Sequence, residues 1–165
     1  MKNVVLIGMP GAGKSTVGVV LAKVLGFEFI DSDLEIQKKE KRLLSQIIEQ
    51  EGLDRFIQIE GSVNKGLLVD RTVIATGGSA VYHTQAMEHF KKTAKIVYIN
   101  LSYETLVSRL GDLKKRGVVL RENQTLRDLY EERHPLYMKY ADIVVDGECA
   151  TVEKVMIAIR EKLNL

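Results

Sequence analysis

The residues with the clearest chemical use form an octapeptide at positions 8–15, which reads G-x-x-x-x-G-K-S. An apolar run at 4–7 precedes it and a helical pattern follows it, which is the strand, loop and helix order that a phosphate-binding loop requires. Glycines let the backbone curl so that successive N–H groups point at phosphate oxygens, and the helix start adds the positive end of its dipole. We predict that the phosphates of a nucleotide bind to Gly11, Ala12, Gly13, Lys14, Ser15 and Thr16.

Two side chains of this loop have separate predicted roles. Lys14 would bring a positive charge to the β- and γ-phosphates, and the Ser15 hydroxyl would be a ligand of Mg²⁺. A chance match in a surface turn is the alternative, and the flanking strand and helix patterns argue against it.

Two carboxylates follow the second apolar run, in the sequence Asp31-Ser32-Asp33. In an open parallel sheet, ligands bind at the carboxyl ends of the strands, so we expect these carboxylates beside the phosphate-binding loop. One could hold the metal through water, and the other could accept a proton from an attacking hydroxyl. The alternative is that Asp33 only caps the helix that follows, a role that is compatible with catalysis.

Three further stretches are candidates for the site. The turn Thr76-Gly77-Gly78-Ser79 ends the third run, and adjacent glycines there suit close approach of a ligand, although a plain turn would look the same. Arg116, beside Gly117, could swing onto the transferring phosphoryl group, or belong to a solvated charged face. Arg133 could clamp an acidic substrate or lie on the surface, at a point where Pro135 interrupts the helix pattern.

Short apolar runs alternate with amphipathic segments along the chain. The runs at 4–7, 27–30, 73–75, 96–101 and 143–145 are almost continuously apolar, as strands buried on both faces should be. Gly26 should end the helix after the loop, and Thr151 should cap a helix at the C-terminus. The alternation predicts an α/β fold with a parallel sheet of about five strands and helices on both faces.

Two stretches break this alternation. Residues 33–69 hold helical patterns with no strand between them, and residues 111–124 are polar and basic with two glycines. In a phosphate-binding kinase they would be the acceptor-binding region and a mobile lid. A helical hairpin and a solvated loop without function are the alternatives, although long loops in compact domains are often functional.

Composition excludes several classes of protein. The 165 residues fit one domain, and a net charge of +2 is too small to indicate nucleic-acid binding. No apolar stretch is long enough to cross a membrane. With a single cysteine, Cys149, and no secretory signal pattern, we expect a cytoplasmic location.

Taken together, these positions resemble the shikimate kinase family over essentially the whole chain. The matching residues are the loop at 8–15 continued by Thr16-Val17-Gly18, then Asp31-Ser32-Asp33, Phe56 with Glu60, Thr76-Gly77-Gly78, and Arg133-His134-Pro135-Leu136-Tyr137. The resemblance implies a P-loop NTPase fold, one kinase domain over 1–165, and phosphorylation of the 3-hydroxyl of shikimate by ATP and Mg²⁺ in aromatic amino-acid biosynthesis.

The resemblance also implies a role for individual residues. Asp31 would be an outer Mg²⁺ residue and Asp33 would meet the acceptor hydroxyls. Arg109 would lie along the adenine, Arg116 would be the lid arginine, and Arg133 would grip the acceptor carboxylate. We expect the acceptor to contact Asp33, Ile57, Gly77, Gly78, Ser79 and Arg133.

The chain departs from the family pattern at the acceptor site. Ile57 stands where the family has an arginine, Leu53 where it has a glutamate, and Ser79 where it has a third glycine; the lid reads R-G-V-V in place of R-P-L-L. Losing a charged hydrogen bond weakens binding by about ten- to a hundredfold.

Three hypotheses follow from the sequence. The first is a shikimate kinase, which we expect to be monomeric. The second is a related kinase with another small hydroxylated acceptor. The third is a nucleotide-binding protein without catalysis, against which the charged residues Asp31, Asp33, Glu60 and Arg133 argue.

Overall fold

A parallel β-sheet forms the centre of the molecule. The structure, a computed structural model, describes residues 3–111, 118, 120–148 and 150–165. Five strands lie in the order β2-β3-β1-β4-β5, and all neighbouring pairs are parallel. They are β1 (Asn3–Ile7), β2 (Glu28–Asp31), β3 (Thr72–Ala75), β4 (Ala94–Asn100) and β5 (Ile143–Asp146). The predicted α/β fold with a parallel sheet of about five strands is confirmed.

The strands differ in burial according to their place in the sheet. Every residue of β1 and β3 is buried, and so is the middle of β4. The two edge strands β2 and β5 are only partly buried. The expectation that all five runs are buried on both faces is therefore wrong for the edges, because an edge strand has a neighbour on one side only.

The strand order explains why three distant segments meet. β3 pairs with β1 on one side and with β2 on the other, so that Leu6, Ala75 and Asp31 lie level across the sheet. The loop after β1, the turn after β3 and the residues after β2 therefore all lie at the carboxyl ends of the strands. Parallel sheets bind their ligands at these ends.

Eight α-helices and one turn of 3₁₀ helix (Ala80–Tyr82) connect the strands in the described part of the chain. The helices are α1 (Lys14–Leu25), α2 (Ser32–Glu40), α3 (Leu44–Glu51), α4 (Leu53–Lys65), α5 (Thr84–Thr93), α6 (Tyr103–Leu110), α7 (Leu126–Tyr140) and α8 (Val152–Leu163). None of these helices is both long and apolar enough to pass through a bilayer.

Helix α1 connects the phosphate-binding loop to the core. It ends as predicted at Gly26, whose backbone is left-handed (φ 65°) and whose N–H turns back to the carbonyls of the last turn. Gly18 lies so close to the sheet that an added β-carbon would be 2.7 Å from Phe29 Cε2.

At the other end of the chain, Thr151 caps α8 by accepting a hydrogen bond from the Lys154 N–H, as predicted.

Helix α7 contradicts one expectation from the sequence. It continues through Pro135 to Tyr140 without a break. Proline removes one intrahelical hydrogen bond, which normally disfavours a helix interior. Here the helix also buries Leu129, Arg133 and Tyr137 against the rest of the protein, and tertiary packing of this kind outweighs local propensity.

The stretch from 33 to 69 consists mainly of α2, α3 and α4, which have a small core of their own. Its buried members are Ile36, Ile47, Phe56, Ile59 and Val63, separate from the large core around the sheet. In the stretch from 111 to 124, residues 112–117 and 119 lie outside the described residues, and with them Arg116. Val118 and Leu120 pack against the large core.

Candidate active site

A cleft of about 880 Å³ opens at the carboxyl ends of the central strands. Its floor is the phosphate-binding loop, and α2, α3, α4 and α7 supply its sides. The described residues that line it include Gly11, Gly13, Lys14, Ser15, Thr16, Asp33, Gly77, Gly78, Ser79 and Arg133. The structure thus brings together most of the residues that the sequence suggested.

The backbone of the loop has the shape expected for binding phosphate. Gly11 and Gly13 have φ angles of 83° and 87°, in the left-handed region that favours glycine. Gly13 is the N-cap of α1, and no side chain caps this helix start. The N–H groups of the first turn are therefore available to an anion. Ala12, in the same loop, is buried.

Lys14 is held inside the loop. Its side chain is buried, and its Nζ donates hydrogen bonds to the carbonyl oxygens of Gly8 (2.7 Å) and Met9 (2.8 Å). Burial lowers the pKa of Lys14 to about 8, while the negative charge of Asp33 acts in the opposite direction. A bound polyphosphate would supply the negative charge that this ammonium group lacks.

Ser15 and Asp31 form a pair of oxygen donors beside the loop. The Ser15 hydroxyl donates to Asp31 Oδ2 at 2.7 Å, and Asp31 Oδ1 accepts from the Asp33 N–H at 3.0 Å. Asp31, not Asp33, therefore caps α2, so the alternative in which Asp33 serves only as the cap is wrong.

The donor types fit a magnesium ion. A hydroxyl and a carboxylate are hard oxygen ligands, and Mg²⁺ in kinases typically takes only one or two protein ligands besides phosphate and water. Over the ranges that the structure describes, no group of three or more acidic, histidine or cysteine side chains could by itself enclose a metal. A magnesium ion here would therefore depend on Ser15, Asp31 and the nucleotide together.

Asp33 and Glu60 both face the turn after β3. A β-carbon built at Gly77 would lie 2.9 Å from Asp33 Oδ1 and 2.7 Å from Glu60 Oε2. Glycine at this position is therefore what lets the two carboxyl groups approach the turn. Burial raises the pKa of Asp33, with Asp31 adding to this effect and Lys14 opposing it.

Glu60 is a site residue that the motif analysis did not single out by itself. It is 1% exposed, it lines the cleft, and its Oε1 accepts a hydrogen bond from the Ser79 hydroxyl at 2.6 Å. Burial raises its pKa to about 7, although the bond from Ser79 lowers it. A glutamate between Ile59 and Gly61 on the buried face of α4 was the signal that could have found it.

Arg133 enters the cleft from α7. It is 5% exposed, and its Nε donates to the Tyr82 hydroxyl at 3.3 Å. On the same helix, Tyr137 donates its hydroxyl to the Gly78 carbonyl at 2.6 Å, which ties α7 to the turn after β3. Tyr82 was not expected at the site from the sequence, because a tyrosine in a short helical turn has no motif around it.

Five of the suggested residues are absent from the described lining: Ala12, Asp31, Ile57, Arg109 and Arg116. Ile57 is 8% exposed on α4 but does not line the cleft, whereas its neighbour Phe56 does. Arg109 donates to the Gly147 carbonyl at 3.4 Å, outside the described lining. Arg116 lies outside the described residues. The roles of Ile57 at the acceptor, Arg109 at the adenine and Arg116 at the phosphate stay predictions.

Besides the charged groups, the cleft has an apolar wall. It consists of side chains from α3, α4 and the segment after α6: Leu44, Ile48, Leu53, Phe56, Val118 and Leu120. One of the departures from the family pattern, Leu53, is thus part of this wall. A ligand with a charged end and an apolar ring face would match both sides of the cleft.

Fold and site together define a class of protein. A phosphate-binding loop lies next to a second compartment with two carboxyl groups and a buried arginine, and a parallel sheet with a helical insertion supports both. This is the organisation of a P-loop kinase that acts on a small molecule.

Comparison with known proteins identifies the family. The shikimate kinase family profile matches residues 10–164. Shikimate kinase of Clostridium botulinum (strain Eklund 17B / Type B) is 37% identical over 98% of this chain and 97% of its own length. That of Thermodesulfovibrio yellowstonii is 39% identical over 94% and 91%. The chain belongs to the shikimate kinase family.

Solved structures agree with this assignment. Shikimate kinase from Acinetobacter baumannii in complex with shikimate superposes with a TM-score of 0.91 at 34% identity, covering 99% of this chain and 94% of that one. The Aquifex aeolicus enzyme gives 0.86 at 35% identity, covering 98% and 96%. The expected P-loop kinase fold is confirmed.

Proposed function

We propose that this protein transfers the γ-phosphoryl group of ATP to a hydroxyl of shikimate, forming shikimate 3-phosphate and ADP. The observation that carries the proposal is that Lys14, Asp33 and Arg133 line one cleft. They are a cation for phosphate, a carboxylate for a hydroxyl and a cation for a carboxylate. Family membership and the shikimate complex of the Acinetobacter baumannii relative support the same acceptor.

The acceptor hydroxyl is activated by Asp33. The hydroxyl oxygen forms a bond to the γ-phosphorus while the bond from that phosphorus to the ADP oxygen breaks, and the hydroxyl proton passes to Asp33. The raised pKa of Asp33 suits this task, because a buried carboxylate accepts a proton more readily than an exposed one.

We assign the positive charge that faces the phosphates of ATP to Lys14 and to the predicted lid arginine. Lys14 leaves the carbonyls of Gly8 and Met9 to meet the phosphates. Arg116, which lies outside the described residues, stays the predicted second cation for the transferred group. Ser15 and Asp31 would hold Mg²⁺, which neutralises charge on the β- and γ-phosphates when it is bound.

Arg133 orients the acceptor. Its guanidinium binds the acceptor carboxylate, and its hydrogen bond to the Tyr82 hydroxyl fixes the orientation of the guanidinium plane. Because Ile57 occupies the place of a second arginine, Arg133 carries this interaction without that partner. The apolar wall packs on the ring.

A coupled assay of ADP release with purified protein, ATP, magnesium and millimolar shikimate tests the proposal. We expect shikimate-dependent ADP formation, with the phosphorylated product identified by phosphorus NMR, and a fall of the rate by about 100-fold or more in Asp33→Asn. The Asp70→Asn variant, on the surface before β3, is the matched control and should keep the wild-type rate. ATP binding without any effect of shikimate would contradict the proposed acceptor, and a panel of hydroxy acids would then identify another.

A further inference from the structure

The Ser79–Glu60 pair is the least expected arrangement in the cleft. Both side chains are more than nine-tenths buried, and the Ser79 hydroxyl donates to Glu60 Oε1 at 2.6 Å. No cation is within ion-pairing distance of Glu60 in the part of the chain that the structure describes. The hydroxyl is therefore the group that orients this carboxyl.

The second oxygen of Glu60 is buried without a hydrogen-bond partner among the described residues. This oxygen, Oε2, lies on the Gly77 side of the carboxyl, where Asp33 Oδ1 approaches the same point of the turn. A buried carboxylate oxygen without a partner costs free energy, so it indicates a group that binds there. The neighbouring Asp33 makes a hydroxyl, which brings a proton and no negative charge, the suitable partner.

We propose that Ser79 is a positioning residue of the acceptor site: by holding Glu60 Oε1, it aims Glu60 Oε2 at a hydroxyl of the acceptor. The acceptor hydroxyl donates to Oε2, and a neighbouring hydroxyl is left to Asp33. The inference rests on the proposed function for the identity of the acceptor. It assigns a use to the serine that stands in place of the family's third glycine.

A hydroxyl partner has a different electrostatic consequence from a cation. The hydrogen bond from Ser79 offsets only part of the rise that burial causes in the pKa of Glu60, which therefore stays at about 7. The charged groups facing Glu60 are Asp33 from α2, Lys14 from α1 and Arg133 from α7. His83, at the N-cap of α5, packs on the adjacent Gly61. Because the ionised carboxylate accepts the hydroxyl, acceptor binding should weaken as the pH falls below about 7.

Kinetics of the Ser79→Ala and Ser79→Thr variants test the proposal. Removing the hydroxyl should raise KM for shikimate by about tenfold with little change in KM for ATP, and Ser79→Thr, which keeps a hydroxyl, should recover most of the loss. Ser62→Ala is the matched control, since Ser62 is exposed on the same helix as Glu60, and it should behave as wild type. Equal KM values for shikimate in wild type and Ser79→Ala would overturn the proposal.

The pH dependence separates positioning from a structural effect. In Ser79→Ala the pKa of Glu60 should rise, so the acidic fall of kcat/KM for shikimate should move to higher pH. In Glu60→Gln the part of this fall that Glu60 causes should be absent, while protonation of Asp33 still stops the reaction at low pH. A merely destabilised Ser79→Ala protein would keep the wild-type profile, and that result would also count against the role of Ser79.

A measurement without turnover distinguishes this inference from the proposed function. Carbon-13 NMR of the Glu60 carboxyl, assigned with Glu60→Gln, follows its titration in wild type and in Ser79→Ala. An upward shift of the pKa in Ser79→Ala supports the pairing even if shikimate is not the acceptor. An unchanged titration overturns the pairing even if wild type phosphorylates shikimate.

Discussion

The site contains buried ionisable groups whose charged forms are disfavoured by burial. Lys14 and Glu60 are both buried, with pKa values of about 8 and about 7, each moved toward neutrality. A lysine and a glutamate in water titrate at about 10.4 and 4.3. The protein without ligands therefore holds these charges at a cost to its stability. This is expected where charge is needed for phosphate and for a hydroxyl.

Because burying the charge of Lys14 destabilises the protein without ligands, we expect Lys14→Met to stabilise it. Because the folded-state pKa is lower than the unfolded one, the unfolded chain binds more protons between pH 8 and 10.5, and the free energy of unfolding rises with pH across that window. At pH 7 the variant should gain on the order of 1–3 kcal/mol in urea denaturation and lose phosphoryl transfer. The gain should shrink as the pH rises from about 8 to 10.5.

Lys23→Met is the control for this prediction. Lys23 is exposed on the same helix, so its substitution should change the free energy of unfolding by less than about 0.5 kcal/mol. A Lys14→Met protein that is less stable than wild type at pH 7 would mean that the hydrogen bonds of Lys14 to the loop outweigh its desolvation.

Arg133 supports a prediction about acceptor binding. Arg133→Lys keeps the charge but loses the planar fork that binds a carboxylate with two hydrogen bonds. KM for shikimate should rise by about ten- to a hundredfold, with KM for ATP nearly unchanged. Arg127→Lys, exposed on the same helix, should have no such effect. If both variants bind shikimate like wild type, the carboxylate lies elsewhere in the cleft.

At the scale of elements, α7 positions the acceptor half of the site. It carries Arg133 and, one turn later, Tyr137, whose hydroxyl reaches the Gly78 carbonyl. The Gly78 turn is itself so close to α7 that an added β-carbon would lie 2.8 Å from Arg133 Nη1. The sequence predicted α7 to be interrupted near Pro135, because a local rule about proline does not include the packing of the residues around it.

Replacing Tyr137 with phenylalanine tests this connection. The variant should lose about 1–2 kcal/mol of unfolding free energy, because the Gly78 carbonyl loses its partner, and KM for shikimate should rise several-fold. Tyr130→Phe is the matched control, since Tyr130 donates from the same helix to the Leu101 carbonyl at 2.9 Å. It should lose similar stability by thermal denaturation and keep KM for shikimate. An equal rise of KM in both would make the effect one of general stability.

At the scale of the whole molecule, one chain supplies both compartments of the cleft. The sheet brings the loop after β1 and the turn after β3 together, and the insertion of α2 to α4 adds the acceptor side with its own small core. With Lys14, Asp33 and Arg133 all in one chain, the expectation of a monomer stays a prediction, which light scattering after size exclusion would check.

Ligand binding should therefore stabilise the whole molecule. At a hundred times its Kd, MgADP should add about 2.7 kcal/mol and raise Tm by about 5–11 °C. We expect shikimate to add a further shift, which Arg133→Lys should reduce while leaving the MgADP shift intact. Absence of a MgADP shift in differential scanning calorimetry, with folded protein confirmed by circular dichroism, would contradict the nucleotide site itself.

The sequence alone determined the phosphate-binding loop, the parallel α/β sheet and the pair Asp31 and Asp33, because each depends on neighbouring residues and local periodicity. Only the tertiary structure decided that Asp31 caps α2, that α7 continues through Pro135, and that Ser79 donates a hydrogen bond to Glu60. The last contact joins residues 19 positions apart in the chain. Hydrogen bonds of this kind depend on how helices pack against the turn, and no spacing rule along a chain contains that information.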